Sequence, residues 1–382
     1  MYKSLRPKYK SAPITSEDSF SKALGGFNLD IIDRITQDTS NGYFVFTQET
    51  GKNKKIRTLH APKTKLKLLQ RSINKNIFEN VLYPDYLTGS IKGKDYVTNA
   101  SMHCGNATII SLDIKDFYPS INKKDVEKIF CYLFRFSRAI SEKLCELVTV
   151  NNKVPQGACC SSHIANLIFF NSEHKLVNDL RLKGFTYTRL LDDITISSKR
   201  NLPKEEVDFV ITAVCKMLTK YGLELNGNKT NSEHRSNSKA DLRVTGLLAR
   251  QQIPKISKEE RKSIKYLVFS CQKAAESGLT ENSYHELWNQ AMGKVSQVIR
   301  LHPSEGNKLL ERLSPIAPLY SYKKIYYVRK CVDDFLNKKP DPLNSRDLHK
   351  FHRLIHQANI ISRTNKALAK NIKSRLNNVF NA

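Results

Sequence analysis

Two runs of strand-forming residues, Phe185–Leu190 and Ile194–Ser197, are separated only by Leu191-Asp192-Asp193, so two adjacent acids must sit at or beside the tip of a tight hairpin. An acidic pair in a turn is common turn chemistry by itself. Here the flanks are apolar, and two carboxylates held together in such surroundings repel each other unless a cation neutralises them. A third acid, Asp113, stands near the end of another run, Ala107–Tyr118, in which Ile110, Leu112 and Ile114 alternate with Ser111 and Asp113. That is the period of a strand, and it turns Asp113 away from the apolar side. A divalent metal is the economical partner for such acids. Mg2+ takes a few carboxylates plus substrate phosphates, and two such ions can stabilise both the attacking and the leaving oxygen of phosphoryl transfer.

The charge balance points the same way. The chain has 63 Lys and Arg against 36 Asp and Glu, a net +27, and such a surface binds a polyanion by releasing its counterions. The segment from Lys52 to Lys75 holds nine basic residues and no acid, and the stretch from Asp341 to the end holds eight basic and two acidic ones. Either segment alone reads as a solvated face; two of them in so basic a chain favour nucleic acid over a membrane surface. A length of 382 residues allows two or three packed units, and 40% hydrophobic with 26% charged residues excludes wholesale disorder. No run of about 18 apolar residues occurs, and Met1-Tyr-Lys-Ser-Leu-Arg-Pro lacks the apolar core of a secretory signal. A soluble, cytoplasmic protein with no membrane partner is expected. The eight cysteines form no CxxC pair, so reduced thiols are expected rather than a zinc ribbon or a disulfide framework.

Residues 1–25, polar, basic and broken by Pro7 and Pro13, read as a loosely held arm. A basic hairpin follows, from Tyr43-Phe-Val-Phe-Thr through a Gly-Lys-Asn turn to Ile56-Arg-Thr-Leu. Leu66, Leu69, Ile73, Ile77 and Val81 predict a helix over 63–82 with Lys65, Lys67, Arg71 and Lys75 on its other face. Helices are also predicted over 123–150, 161–183 and 204–221, a short strand over 241–250, and helices from Ser257 to about residue 313. Pro-rich breaks at 314–318 and 340–342 set off a helical tail.

The order of these segments resembles that of reverse transcriptases, specifically the bacterial retron and defence-associated branch. Ser111-Leu-Asp-Ile-Lys-Asp-Phe-Tyr-Pro-Ser120 is similar to motif A, Val154-Pro-Gln-Gly-Ala158 to motif B, and Tyr187-Thr-Arg-Leu-Leu-Asp-Asp-Ile-Thr-Ile-Ser197 stands where motif C belongs. Gly222-Leu-Glu-Leu-Asn-Gly-Asn-Lys-Thr230 resembles motif D and Arg243-Val-Thr-Gly-Leu247 the primer-grip region. Asn99-Ala-Ser-Met-His103 and Val244-Thr-Gly246 resemble elements of retron enzymes. The resemblance covers about residues 45–315. It departs at Leu190 and Leu191, where the family has an aromatic and a small residue, and at Cys159-Cys160, where the retron pattern has Pro-Ser. With His163 those cysteines could suggest a metal site, although a free thiol pair is the ordinary reading.

The resemblance implies an α+β right-hand polymerase. Fingers and palm would span 26–250, with a small antiparallel sheet backed by helices; a helical thumb 251–315; and a basic helical extension 316–382. It implies RNA-directed DNA synthesis from deoxynucleoside triphosphates with two Mg2+ ions, Mn2+ being an alternative. The template would be a structured non-coding RNA copied into a DNA product, with a role in antiviral defence. Asp113 and Asp192 would hold the metals with Asp193 in support, and Lys229 would protonate the pyrophosphate. Lys54, Lys55 and Arg57 would clamp the triphosphate, Tyr118 would exclude a ribose 2′-hydroxyl, and Gln156 and Gly157 would let the backbone approach the nucleotide. Asn99, His103, Val244, Thr245 and Gly246 would bind primer or RNA, with a hydrogen-bonded structural role as the alternative for His103. A homo-oligomer or an effector protein is left open as a further partner. Two other functions fit the residues: a template-independent or protein-primed DNA polymerase, and an inactive RNA-binding assembly protein.

Overall fold

In chain order the strands are β1 (Lys8–Tyr9), β2 (Tyr43–Thr50), β3 (Lys55–Pro62), β4 (Val81–Leu82), β5 (Thr108–Asp113), β6 (Phe185–Leu190), β7 (Asp193–Ser198), β8 (Asn231–His234), β9 (Arg243–Val244) and β10 (Leu247–Leu248). The structure, a computed structural model, describes residues 5–50, 55–340 and 345–380. The chain divides into two units, Met1–Pro254 and Lys255–Ala382.

The first unit is α+β. Its central sheet is antiparallel with the order β6-β7-β5-β8, and β2 pairs with β3 in a separate hairpin. Ile110, Leu112 and Ile114 lie in the core, as the alternation along β5 requires. Behind the sheet, the helix Lys204–Thr219 buries Val207, Val210, Val214, Met217 and Leu218 at three-to-four spacing.

Several expected elements are shorter. The helix over 63–82 ends at Asn76, and Val81 instead pairs with Tyr9. The helix over 123–150 is broken: Lys123–Lys128 passes through a wider turn at Ile129–Leu133, and a new helix runs Arg138–Val148. The cause lies in Phe134 and Phe136, both buried, which pack on each other and on Tyr9 with ring centroids 4.6–5.5 Å apart. Residues two apart cannot share a helix face, and Arg135, at φ +59, redirects the backbone between them. The helix over 161–183 splits into Ser161–Leu167 and Glu173–Leu182. Residues Ile164 to Phe170 are all buried, which one continuous amphipathic helix cannot achieve. The strand over 241–250 is a miniature hairpin, β9 and β10 around Thr245 (φ +47) and Gly246 (φ +85), the pair of positive angles of a type I′ turn.

From residue 5 on, the segment read as a loose arm is packed. Ser16 and Ser19 cap the helix Glu17–Ala23 reciprocally, and Ile14, Phe20 and Leu24 enter the core of the first unit.

The named elements of the second unit among its described residues are all helices. Lys258–Glu276 starts on Ser257, whose side chain accepts from the Glu260 amide at 3.2 Å. Asn282–Leu301 and Pro303–Leu313 follow. Tyr322–Asn337 and the tail helices Ser345–Ile361 and Lys366–Phe380 close a core of their own, in which Val328, Val332 and Phe335 meet Phe351, Leu354, Ile372 and Leu376. Arg363 of the tail donates to the Pro318 carbonyl at 2.6 Å and lies 5.1 Å over the Trp288 ring. These contacts join residues on both sides of 315 into one unit. All eight cysteines are free, and no helix among the described residues is long and apolar enough to cross a membrane.

Candidate active site

β6 and β7 are joined by the two-residue turn Leu191-Asp192, with Leu190 paired to Asp193. Leu191 has φ +59, the sign a type II′ hairpin needs at its first central position, where Gly is usual. A leucine there is strained by about 1–2 kcal/mol. Gly89 makes room for it: a Cβ added at 89 would lie 2.7 Å from Leu191 Cγ and 2.8 Å from its amide nitrogen. The register sets Asp193 opposite Asp113, the last residue of β5, and the Ile114 N–H donates to the Asp192 carbonyl at 3.0 Å. Three acids far apart in sequence thus meet at one end of the sheet.

Asp113 and Asp192 line a cavity of about 610 Å³ together with Arg57, Tyr118, Gln156 and Lys229. Lys229 Nζ donates to Asp113 Oδ1 at 2.6 Å, and Asn226 Nδ2 reaches Oδ2 at 3.3 Å. The Asn226 backbone N–H also donates to the Asp113 carbonyl, at 2.7 Å. Burial, then the charge of Asp113, raises the Asp192 carboxyl above its usual range, with Lys229 and Arg57 opposing. Burial, then Asp192 and Asp113, pushes Asp193 up to about 6. The bond to Asp113 raises the Lys229 ammonium, which keeps its proton. Tyr118, half-buried, is pushed up to about 12 by burial and by the charge of Asp192, so its phenol is neutral.

This donor set fits a divalent cation. The three carboxylates repel one another at a half-buried edge, and the ammonium of Lys229 already occupies one oxygen as a cation would. Among the described residues no three His, Cys, Asp or Glu side chains converge into a ready-made cage. The expected set Asp113, Asp192 and Asp193 is therefore an open one, which suits an ion that completes its shell with substrate phosphates and water.

Two further elements close the cavity. The His60 N–H of β3 donates to the Gln156 carbonyl at 2.8 Å, tying the basic hairpin to the Pro-Gln-Gly turn. Gly157 sits at φ +102 with the His60 carbonyl 3.5 Å from where a Cβ would be, so its backbone conformation, more than space, calls for glycine. Ser161 Oγ donates to the Pro155 carbonyl at 2.6 Å and anchors this turn to the helix Ser161–Leu167.

Other expected site residues lie away from the cavity. Asn99 and His103 are fully buried, contrary to a role in touching RNA. The His103 ring pairs Nδ1 with Ser197 Oγ and Nε2 with Thr188 Oγ1, both at 2.7 Å, and burial holds it down to about 3, so it is a neutral brace behind the sheet. Asn99 Oδ1 accepts from Thr88 Oγ1 at 2.9 Å. Val244 is buried too, while Thr245 bonds the Tyr96 carbonyl at 3.0 Å and Gly246 is exposed at the tip of its turn. Lys54 lies outside the described residues, as does the side chain of Lys55. Cys160 bonds the Gln70 carbonyl and His163 bonds Tyr83 while stacking on Phe78. They are packing groups.

Sequence reasoning missed Asn226 and Arg189. Asn226 lies inside the motif D stretch four residues after Gly222, and its amide, bonded to the Asp113 carbonyl, was invisible without the fold. Arg189 looked like one more cation. Its only signal was a charge at a strand position next to the acid turn.

Residues 48–271 match the family described as reverse transcriptase (RNA-dependent DNA polymerase). The chain is similar to the retron Se72 reverse transcriptase of Salmonella heidelberg, 46% identical over 371 residues covering 97% of this chain and 98% of that one. It is similar to the retron Ec48 reverse transcriptase of Escherichia coli, 31% identical over 343 residues covering 86% and 82%. Among solved structures, a telomerase from Candida albicans in complex with a fragment of telomeric RNA aligns at TM-score 0.38 and 11% identity, covering 91% of this chain and 70% of that one.

Proposed function

The chain belongs to the retron-type reverse transcriptases and is an RNA-directed DNA polymerase, and from that premise we propose that it copies a structured non-coding RNA into DNA by nucleotidyl transfer at Asp113, Asp192 and Asp193. The observation that carries the reading is the meeting of Asp113 and Asp192 with Arg57, Lys229 and Tyr118 around one cavity. A divalent metal goes with a reverse transcriptase domain; in this reading it is Mg2+, two ions, replaceable by Mn2+, with Asp113 and Asp192 as ligands and Asp193 behind them. When bound, such ions supply charge stabilisation to the attacking and leaving oxygens.

The chain's own residues do the rest. Arg57 offers a planar fork to the triphosphate oxygens, and Lys54 and Lys55, close to it in sequence, add charge. Tyr118 lines the cavity, and in this reading its ring excludes a ribose 2′-hydroxyl. Gln156 and Gly157 position the nucleotide along the turn held by His60. Lys229 holds a proton at Nζ, to be passed to the pyrophosphate as it leaves. In this reading Gly246, exposed at the tip of its turn, and Thr245 beside it would meet primer outside the cavity. An antiviral role, a cytoplasmic site of action and a homo-oligomeric or effector partner extend the proposal by resemblance alone.

Incorporation of labelled deoxynucleotides on a defined RNA template and primer tests the site. Asp113→Asn and Asp192→Asn each abolish incorporation while RNA binding stays near wild type, because carboxylates hold the metal and basic surfaces hold phosphate. Wild-type incorporation by either variant at saturating Mg2+ rejects the assignment. Sequencing the nucleic acid that co-purifies with the protein tests the template.

A further inference from the structure

Arg189 is the largest side chain without solvent access among the described residues. Its guanidinium forms a fork with Glu173, Nε to Oε1 at 2.5 Å and Nη2 to Oε2 at 2.9 Å. Tyr187 donates its hydroxyl to the same Oε1 at 2.8 Å, and the Phe169 ring lies under the guanidinium at 5.0 Å. A buried ion pair is a poor way to stabilise a core, because desolvation of both charges offsets their attraction and apolar residues of equal volume do as well. What apolar residues cannot replace is the direction of the other N–H groups. Nη1 donates to the carbonyls of Ala165 at 2.9 Å and Leu191 at 3.0 Å, and Nη2 to that of Asn166 at 3.0 Å.

Those carbonyls belong to two parts of the site. Ala165 and Asn166 lie in the last turn of the helix Ser161–Leu167, where carbonyls lack partners within the helix, and the other end of that helix anchors the Pro-Gln-Gly turn through Ser161. Leu191 is the strained residue whose carbonyl opens the peptide leading to Asp192. Asn166 Nδ2 also donates to the Gly89 carbonyl at 2.7 Å, holding the backbone against which Leu191 is wedged.

We propose that Arg189, with Glu173 as its counter-charge, is a positioning residue of the polymerase: it ties the helix behind the Pro-Gln-Gly turn to the Leu191 carbonyl and so fixes the direction in which Asp192 enters the cavity. The proposal rests on Asp192 being a catalytic carboxylate. Arg189→Met combined with Glu173→Met removes both charges and the carbonyl bonds while filling the core. The double variant leaves those carbonyls and the Tyr187 hydroxyl without partners, so it is expected to melt below wild type but stay folded, to lose kcat by ~10- to 100-fold as a misaimed reacting group does, and to change the deoxynucleotide KM by about twofold at most. Arg189→Lys, which keeps the charge facing Glu173 but reaches fewer carbonyls, restores part of kcat. A folded double variant with wild-type kcat overturns the proposal, as does a fall in kcat that vanishes when rates are normalised to folded protein. If neither variant folds, amide hydrogen exchange on the wild-type chain decides. Residues 190–193 exchanging as slowly as the flanking strands support the clamp, and exchange at the rate of an open turn overturns it. Asp192→Asn run alongside separates the two levels. If it is inactive while the double variant is fully active, only the clamp falls; if it is itself active, the acid assignment falls and takes the clamp with it.

Discussion

Replacing Asp193 by Asn stabilises the metal-free protein, and by an amount that grows with pH. Burial, then Asp192 and Asp113, moves the Asp193 carboxyl from 3.8 up to about 6. Below about pH 4 the group is protonated in the folded and the unfolded chain alike and makes no difference between them. As pH rises from about 4 to about 6, the unfolded chain releases the proton while the folded one retains it, so stability falls across that window and the loss is complete above it. Roughly two pH units at ~1.4 kcal/mol each set an upper bound of about 3 kcal/mol. Water reaching this partly exposed edge reduces that to about 1–2 kcal/mol. For a unit of this size the gain corresponds to a rise of roughly 2–8 °C in Tm. Calorimetric melting of wild type and Asp193→Asn in chelator at pH 4.5, 6 and 8 reads it, and repeating the pH 8 scans with Mg2+ narrows the gap, because the ion binds the wild-type acids more tightly. A gap equal at pH 4.5 and 8, or a variant less stable than wild type at pH 8 in chelator, refutes the reasoning.

Gly157→Ala forces a side chain into φ +102 and costs about 1–2 kcal/mol, seen as a lower Tm with a raised deoxynucleotide KM. Leu190→Tyr with Leu191→Ala changes product length or primer use on a defined RNA template. Both leucines are only half-buried and Leu191 lines the cavity, so the melting penalty stays below the ~2–5 kcal/mol of a full core truncation; an unchanged product distribution with a large drop in Tm makes them packing residues. Deleting 341–382 unfolds part of the second unit, because Phe351, Leu354, Ile372 and Leu376 complete the core around Phe335, and calorimetry shows the loss. The exposed Arg353, Lys366 and Lys370 changed together to Gln leave Tm unchanged and flatten the salt dependence of RNA binding by about three counterions; an unchanged slope removes this face from the RNA-binding surface.

The acid turn, the β5 alternation and the basic hairpin were legible because each is a local pattern: period two, a short turn and a run of one charge. The three acids were legible as a group only through the order of the motifs, since the paired Asp113 of β5 and Asp193 of β7 stand 80 residues apart in the chain. His103 and Arg189 were not legible. Polar residues at buried positions carry the same letters as exposed ones, and only the partners Ser197, Thr188 and Glu173 distinguish them. The helices over 123–150 and 161–183 were read too long for a related reason. Their apolar content suits a helix, but burial on every side at Ile164 to Phe170 and the two-residue spacing of Phe134 and Phe136 are tertiary demands that override it. The first 25 residues misled by composition: Phe20 and Leu24 suffice to hold a helix on the core, yet they are diluted among polar neighbours.

The strand order β6-β7-β5-β8 also dictates how the chain meets its own synthesis. β5 leaves the ribosome first of the four, yet its neighbours on both sides, β7 and β8, are encoded far downstream. At ~5–20 residues per second the apolar Thr108-Ile-Ile-Ser-Leu-Asp113 stays without either strand partner for several seconds, with both edges open to other chains. The hairpin β6–β7 forms by itself once Ser198 is out, and docking it on β5 is a long loop closure, slow by the usual dependence of folding rate on contact separation. Slowed synthesis therefore lengthens the interval in which β5 can aggregate, whereas a bound chaperone covers its open edges until the acids are brought together.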